Sequence, residues 1–217
     1  AVRHTVGGVG GLVCAGHTGR VGTVASAATI PYRDDTYCLL RNLGVTRWQV
    51  NLCQNAGRAR DAVADLMPAP QDLQRIVDVL LRAAREGVVT SPMHCTVGYM
   101  TAEEPVLRRP LSTQNLVWRG TPAGLRTVAI TATGGVLGCT ALPDEFVTAS
   151  VRDRPLRDIW SDDACFPYSR GFDESLLAGQ CARCKLALAC RAGCPAVAYG
   201  ATGAMGANPY GLRLVRG

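Results

Sequence analysis

The 217-residue sequence contains no run of about eighteen apolar residues, so nothing in it is built as a membrane-spanning helix. It lacks an initiating Met and opens on "AVRHTVGGVGGLV", with no basic segment leading into a long apolar stretch. That excludes a secretory signal peptide, and a start on Ala in strand-like sequence reads as a piece cut from something longer. A block of basic residues interleaved with aromatics is also missing. The net charge of +6 comes mostly from scattered arginines, which argues against nucleic acid as a partner. Ten cysteines in 217 residues fall short of the density of a disulfide scaffold. Without a secretion signal the expected compartment is the reducing cytoplasm, where clustered thiols more often bind metal than pair.

Three textures follow one another. Residues 1–30 are rich in Gly, Ala, Val and Thr, and "RHTVGGVGGLV" alternates in a way that predicts one strand. Residues 34–92 read as α/β. "DDTYCLLRNLG" predicts a short helix closed by Gly44, "TRWQVNLCQ" a strand, and "NAGRAR" a basic loop. "PQDLQRIVDVLLRAAREG" places Leu73, Ile76, Val77, Leu80, Leu81 and Ala84 on one helical face, and "VVTSP" opens another strand. Strands alternating with helices are the grammar of a parallel sheet, here with too few units for a closed barrel. Residues 93–126 look mostly irregular. "RTVAITATGGVLGCTAL" predicts a hairpin with Cys139 at its end, and "RPLRDIW" a short helix opened at Pro155.

"CARCKLALACRAGC" carries the chemistry: Cys181, Cys184, Cys190 and Cys194 in the order C-x2-C-x5-C-x3-C. Zinc sites more often use two C-x2-C pairs separated by a longer loop. The ending "CRAGCP" matches the C-x3-C-P close of an iron–sulfur run whose last Cys serves a different cluster from the others. Thiolates are soft anionic donors suited to iron in such clusters. Spacing therefore favours iron–sulfur, with zinc and then disulfides as the alternatives. If Cys194 serves a second site, Cys139 is its natural companion, standing in a G-x4-C with Gly134.

G-x4-C, a gap, C-x2-C-x5-C-x3-C and a closing "NPY" resemble the SPASM domain, the C-terminal extension of radical SAM enzymes that modify ribosomally made peptides and proteins. "LRDIW", "CFPYSRGF" and "CRAGCPAVAY" are similar to that family in order and spacing, and "LGVTRWQVNLCQNAGRAR" resembles the last part of a radical SAM barrel. The resemblance implies an α/β chain. Residues 1–110 would be the C-terminal portion of a partial (β/α) barrel of radical SAM type, and residues 111–217 a small α+β cysteine-rich SPASM-like module. It implies 4Fe–4S clusters and, in the complete enzyme, S-adenosylmethionine. The implied partners are a precursor peptide or protein and an electron donor. By family roles Cys181, Cys184 and Cys190 hold one auxiliary cluster and Cys139 and Cys194 belong to another. Alternatively Cys194 closes the first site and Cys139 is structural.

The sequence departs from the family in three places. The C-x3-C-x2-C that binds the radical-generating cluster is absent, so no residue is assigned a catalytic role. No Cys falls within Trp118–Gly124, and Gly211 stands where the pattern places its last Cys. Among the remaining residues, Cys165 is a spare ligand candidate, while Cys14, Cys38, Cys53 and Cys95 read as buried, inert thiols. His17 and His94 read as structural, Glu103–Glu104 as a solvated loop before Pro105, and Arg58 and Arg60 as an exposed loop. "GGVGG" lacks the order of a phosphate-binding turn. The competing reading of the whole is a non-catalytic metal-binding module that docks a peptide.

Overall fold

A computed structural model describes residues 2–17, 20–92, 99–108, 118 and 120–216. The chain forms two compact units: residues 1–53, 62–118 and 210–217 make the first, and 54–61 with 119–209 the second.

In the first unit the strands β1 (Val21–Ala25), β2 (Arg47–Leu52) and β3 (Val89–Pro92) form a parallel sheet in the order β1-β2-β3. Val21 pairs with Trp48, and Arg47 with Val89. The helices are α1 (Val2–Cys14), α2 (Arg33–Asn42), α3 (Val63–Leu66), α4 (Asp72–Arg85) and α5 (Glu104–Arg108), with a last short helix at Leu212–Arg216. The strand expected at 46–54 and the two expected helices are present. β2 alternates as a half-buried strand must, with Trp48, Val50 and Leu52 in the core. α4 buries Leu73, Ile76, Val77 and Leu80 as its periodicity predicts. It adds Val79 and Ala83, while Leu81 and Ala84 are only half-buried. The apolar stripe is thus turned slightly from the expected one. Tyr37 of α2 stacks on Trp48 with centroids 5.8 Å apart, and the Trp48 indole N–H donates to Thr23 Oγ1 at 2.9 Å. The Tyr37 hydroxyl donates to Glu86 at 2.9 Å, so both buried rings have their polar tips satisfied.

The expected N-terminal strand is instead helix α1. Its four glycines and β-branched valines are weak helix formers, which is why the pattern reads as a strand. None of its described side chains is buried, so a packed face does not account for the helix; a Cβ on Gly10 would stand at an ordinary 3.6 Å from Leu43, while one on Gly44, where φ is +73°, would stand 3.2 Å from Val13. "GGVGG" is helical and forms no phosphate-binding turn. Glu104 overturns the solvated-loop expectation: it is fully buried, and its carboxylate accepts the backbone N–H groups of Met100 and Trp118, each at 2.6 Å. Those charge-assisted bonds offset the cost of taking the carboxylate out of water.

The second unit contains an antiparallel sheet of β4 (Ala129–Ile130), β5 (Gly135–Leu137) and β6 (Ala149–Ser150). The expected hairpin is β4–β5, turned through Thr131–Gly135; β6 was not legible. Helices α6 (Leu156–Ser161), α7 (Pro167–Arg170), α8 (Ala187–Cys190) and α9 (Pro195–Thr202) follow. One core cluster is Val136, Ile159, Cys165 and Phe166. Arg170 ties the loop at Gly124 and the end of α6 to it, donating to the carbonyls of Gly124, Trp160 and Asp162 at 3.0, 2.8 and 2.9 Å. Its guanidinium lies over the rings of Trp160 and Phe166, 5.1 and 4.9 Å from their centroids.

Candidate iron–sulfur site

Each candidate ligand sits where the backbone bends. Cys139 follows β5, just after Gly138. A Cβ on Gly138 would come within 2.6 Å of the Gly124 nitrogen and 2.7 Å of the Tyr168 oxygen, so only glycine lets the hairpin end this close to its neighbours. The Gly138 N–H donates to the Tyr168 hydroxyl at 2.6 Å, which fixes the backbone immediately before Cys139. Cys181 opens a 3-10 turn, Cys181–Arg183, and the Cys184 N–H closes it onto the Cys181 carbonyl at 3.1 Å. Cys190 ends α8. Then Arg191, Ala192 and Gly193 are all left-handed, with φ of 53°, 53° and 68°. Cys194 caps α9, whose first residue is Pro195, a position where the missing N–H costs nothing.

Cys181 and Cys194 are buried, while Cys139, Cys184 and Cys190 are half-buried. Burial pushes the Cys139 thiol above its ordinary range; the Ala141 N–H opposes this, and the neighbouring Cys194 adds to it. Cys181 is likewise raised by burial, against a contact with the Asn208 carbonyl and with a further push from Cys184. Cys194 is thus a neighbour of Cys139, and Cys184 of Cys181. Their protons must leave when metal binds.

None of the nine cysteines described is in a disulfide. Among the described residues no three His, Cys, Asp or Glu side chains are grouped to hold a single metal ion. A cluster draws its thiolates from around a cube of iron and sulfur, whereas one zinc ion needs them converging at about 2.3 Å. The donor type, thiolate throughout, suits the iron of such a cluster.

The other sequence candidates separate clearly. Cys165 is packed in the core, its sulfur accepting from Arg154 at 3.3 Å, which is a structural role. Cys14 and Cys38 are exposed, correcting the expectation of burial, and Cys53 is half-buried. Exposed positions on α1 and α2 carry them, and periodicity alone had not placed them. His17 is exposed, and Arg58 and Arg60 are exposed on a 3-10 turn. Cys95 and His94 lie outside the described residues. Gly211 belongs to the first unit and precedes its last short helix. Tyr168 and Arg170, which hold the backbone around Cys139 and the core, were not singled out; the run "CFPYSRGF" was their only signal.

Residues 122–185 match the SPASM iron–sulfur cluster-binding domain. That span includes Cys139, Cys181 and Cys184, with Cys190 and Cys194 just beyond it. The chain thus combines an α/β unit with a segment that matches an iron–sulfur cluster-binding domain. The chain is 26% identical over 216 residues to the AdoMet-dependent heme synthase of Oleidesulfovibrio alaskensis, covering 94% of this chain and 53% of that protein. The fold is also that of native anSMEcpe with bound AdoMet, at a TM-score of 0.57 and 14% identity over 88% of this chain and 51% of that one. Native anSMEcpe with bound AdoMet and Cp18Cys peptide superposes at a TM-score of 0.53 and 13% identity, covering 88% and 52%. The chain spans about half the length of these relatives. Among the described residues no helix is long and apolar enough to cross a membrane.

Proposed function

We propose that this chain supplies the auxiliary-cluster half of a radical SAM enzyme that modifies a ribosomally made peptide or protein in the cytoplasm. Cys181, Cys184 and Cys190 would hold one 4Fe–4S cluster, and Cys139 with Cys194 would serve a second. Such clusters pass single electrons or ligate substrate through an open iron. The observation that carries the reading is a set of candidate thiols within and just beyond a segment matching an iron–sulfur-binding domain. The peptide-bound state of anSMEcpe supports a peptide substrate. S-adenosylmethionine and an electron donor belong to the whole enzyme, and residues 1–110 would be its partial-barrel portion.

A second reading has a specific support: the heme synthase is the relative matched over most of this chain by sequence, which favours a tetrapyrrole substrate. Anaerobic reconstitution with iron, sulfide and zinc analysis and Mössbauer spectroscopy tests the cluster. Iron and sulfide in equal amounts are expected; zinc alone would support the non-catalytic docking module instead. Calorimetric titration of the reconstituted chain with a precursor peptide and with a porphyrin then separates the substrates.

A further inference from the structure

The second unit encloses a cavity of about 290 Å³, near the lower end for small-molecule sites. Its wall is aromatic, formed by Phe146, Tyr168, Phe172 and Tyr199. The two phenols are already engaged: Tyr168 accepts from the Gly138 N–H, and Tyr199 donates to Glu145. Tyr199 therefore offers ring surface, whereas Tyr168 keeps its own O–H proton to donate. Three other polar residues line the space, Thr121 among them with a hydroxyl that accepts from the Ala123 N–H. Ser169 is 3% exposed, and its hydroxyl has no hydrogen-bond partner, a cost a bound acceptor would offset. Arg191 brings a guanidinium, held over the Phe172 ring at 5.5 Å from its centroid. No Asp or Glu is among the described lining residues. Leu176, also in the lining, is 44% exposed and gives access from solvent.

We infer that this cavity binds an aromatic ring bearing a carboxylate, the ring against the aromatic wall and the carboxylate on Arg191 and Ser169. A cationic or purely polar ligand would meet the wrong charge or strand its polar groups on the rings. The wall also touches the candidate cluster loop, because Arg191 follows Cys190 and Pro195 follows Cys194. An occupant would therefore sit beside the segment that carries two of the thiols. Identifying that occupant with the enzyme's substrate rests on the function proposed above; the binding itself does not. The ring and acid can come from a free aromatic acid or from a Phe-Glu step within a peptide.

The test is calorimetric titration of the full chain, with its iron content measured in the same sample. The probes are N-acetylphenylalanine, its uncharged carboxamide, and a capped decapeptide with one internal Phe-Glu. The free acid should bind saturably and the carboxamide about tenfold more weakly, as loss of a charge-assisted contact implies. Arg191→Gln should weaken the acid about tenfold and Ser169→Ala about threefold. Ala204→Phe, which fills the cavity, should abolish binding. Unchanged circular dichroism checks that each variant is folded. A peptide binding more tightly than the free acid assigns the peptide source, and the reverse assigns the small molecule. Acid and carboxamide differing by less than about threefold, no saturation by about 10 mM, or full binding in folded Arg191→Gln would each overturn the inference. Binding by an iron-free sample would leave this site standing, and iron and sulfide content after reconstitution decides the cluster reading separately.

Discussion

The two units are held together by different means. The first buries long aliphatic side chains on regular elements: Leu73, Ile76, Val77 and Leu80 are each at most 2% exposed. The second buries smaller groups of side chains, Val136, Ile159, Cys165 and Phe166 in one cluster and Leu137, Leu142 and Val197 besides, and is stitched by individual side chains such as Arg170. Its strands are two or three residues long, too short to stand without outside help. The contrast shows how a small module can lean on specific polar ties where its regular elements are short.

That difference can be broken most forcefully at the thiols. Chelation of the reconstituted protein, or Cys184→Ser, should remove several kcal/mol from the second unit, as ligand loss does in other small metallo-modules. Hydrogen exchange is expected to accelerate across residues 165–209 and to stay slow in α4; equal protection before and after would refute this dependence on metal. Leu80→Ala is the reciprocal cut, costing about 2–5 kcal/mol because the site is sealed. It should melt α4 first and leave iron stoichiometry unchanged. Arg170→Ala removes three carbonyl contacts and two ring contacts, for about 2–3 kcal/mol. Arg170→Lys should recover little of it, since one ammonium cannot reproduce the fork. Thermal melts of both variants give the comparison.

The smallest expected effect concerns acid. Asp162 is held below the ordinary carboxylate range, chiefly by the Arg154 hydrogen bond at 2.7 Å and then by the Ala164 N–H. A depressed folded value means its contribution is complete above the unfolded carboxylate pKa and lost as pH falls through the folded one. Asp162→Asn should therefore flatten the acid side of the stability curve slightly, and the difference should shrink in salt because the pair is exposed. An identical slope in wild type and variant would show the pair to be inert.

How much of this was legible follows from the same contrast. α4 and β2 announce themselves because burial of one face imposes a period on the sequence, and the hairpin before Cys139 is marked by its glycines. β1 and α9 gave no such signal: "VGTVA" is short, and "PAVAYGAT" is small and apolar nearly all round, so neither shows a period. α1 was misread because glycines and valines are weak helix formers and its described side chains are exposed or half-buried, so no buried face stamps a helical period on the sequence. For the site, residue type and spacing singled out the five cysteines and named Cys139 as the companion of Cys194, while the burial of Cys181 and Cys194 needed the fold. Ser169 and Arg191 were invisible as a pair, since only the folding of α7 toward the loop after α8 puts them on one wall.

The left-handed run between Cys190 and Cys194 sets the stiffness of that loop. Arg191 and Ala192 hold a conformation that costs an L-residue about 1–2 kcal/mol, and glycine would hold it without that cost. Ala192→Gly would relieve the strain, yet it would also free the segment to sample many more shapes. The residue present gives up some stability and in return narrows the range of positions that two thiols can take. A loop of that kind is tuned for the spacing of its ends rather than for its own comfort.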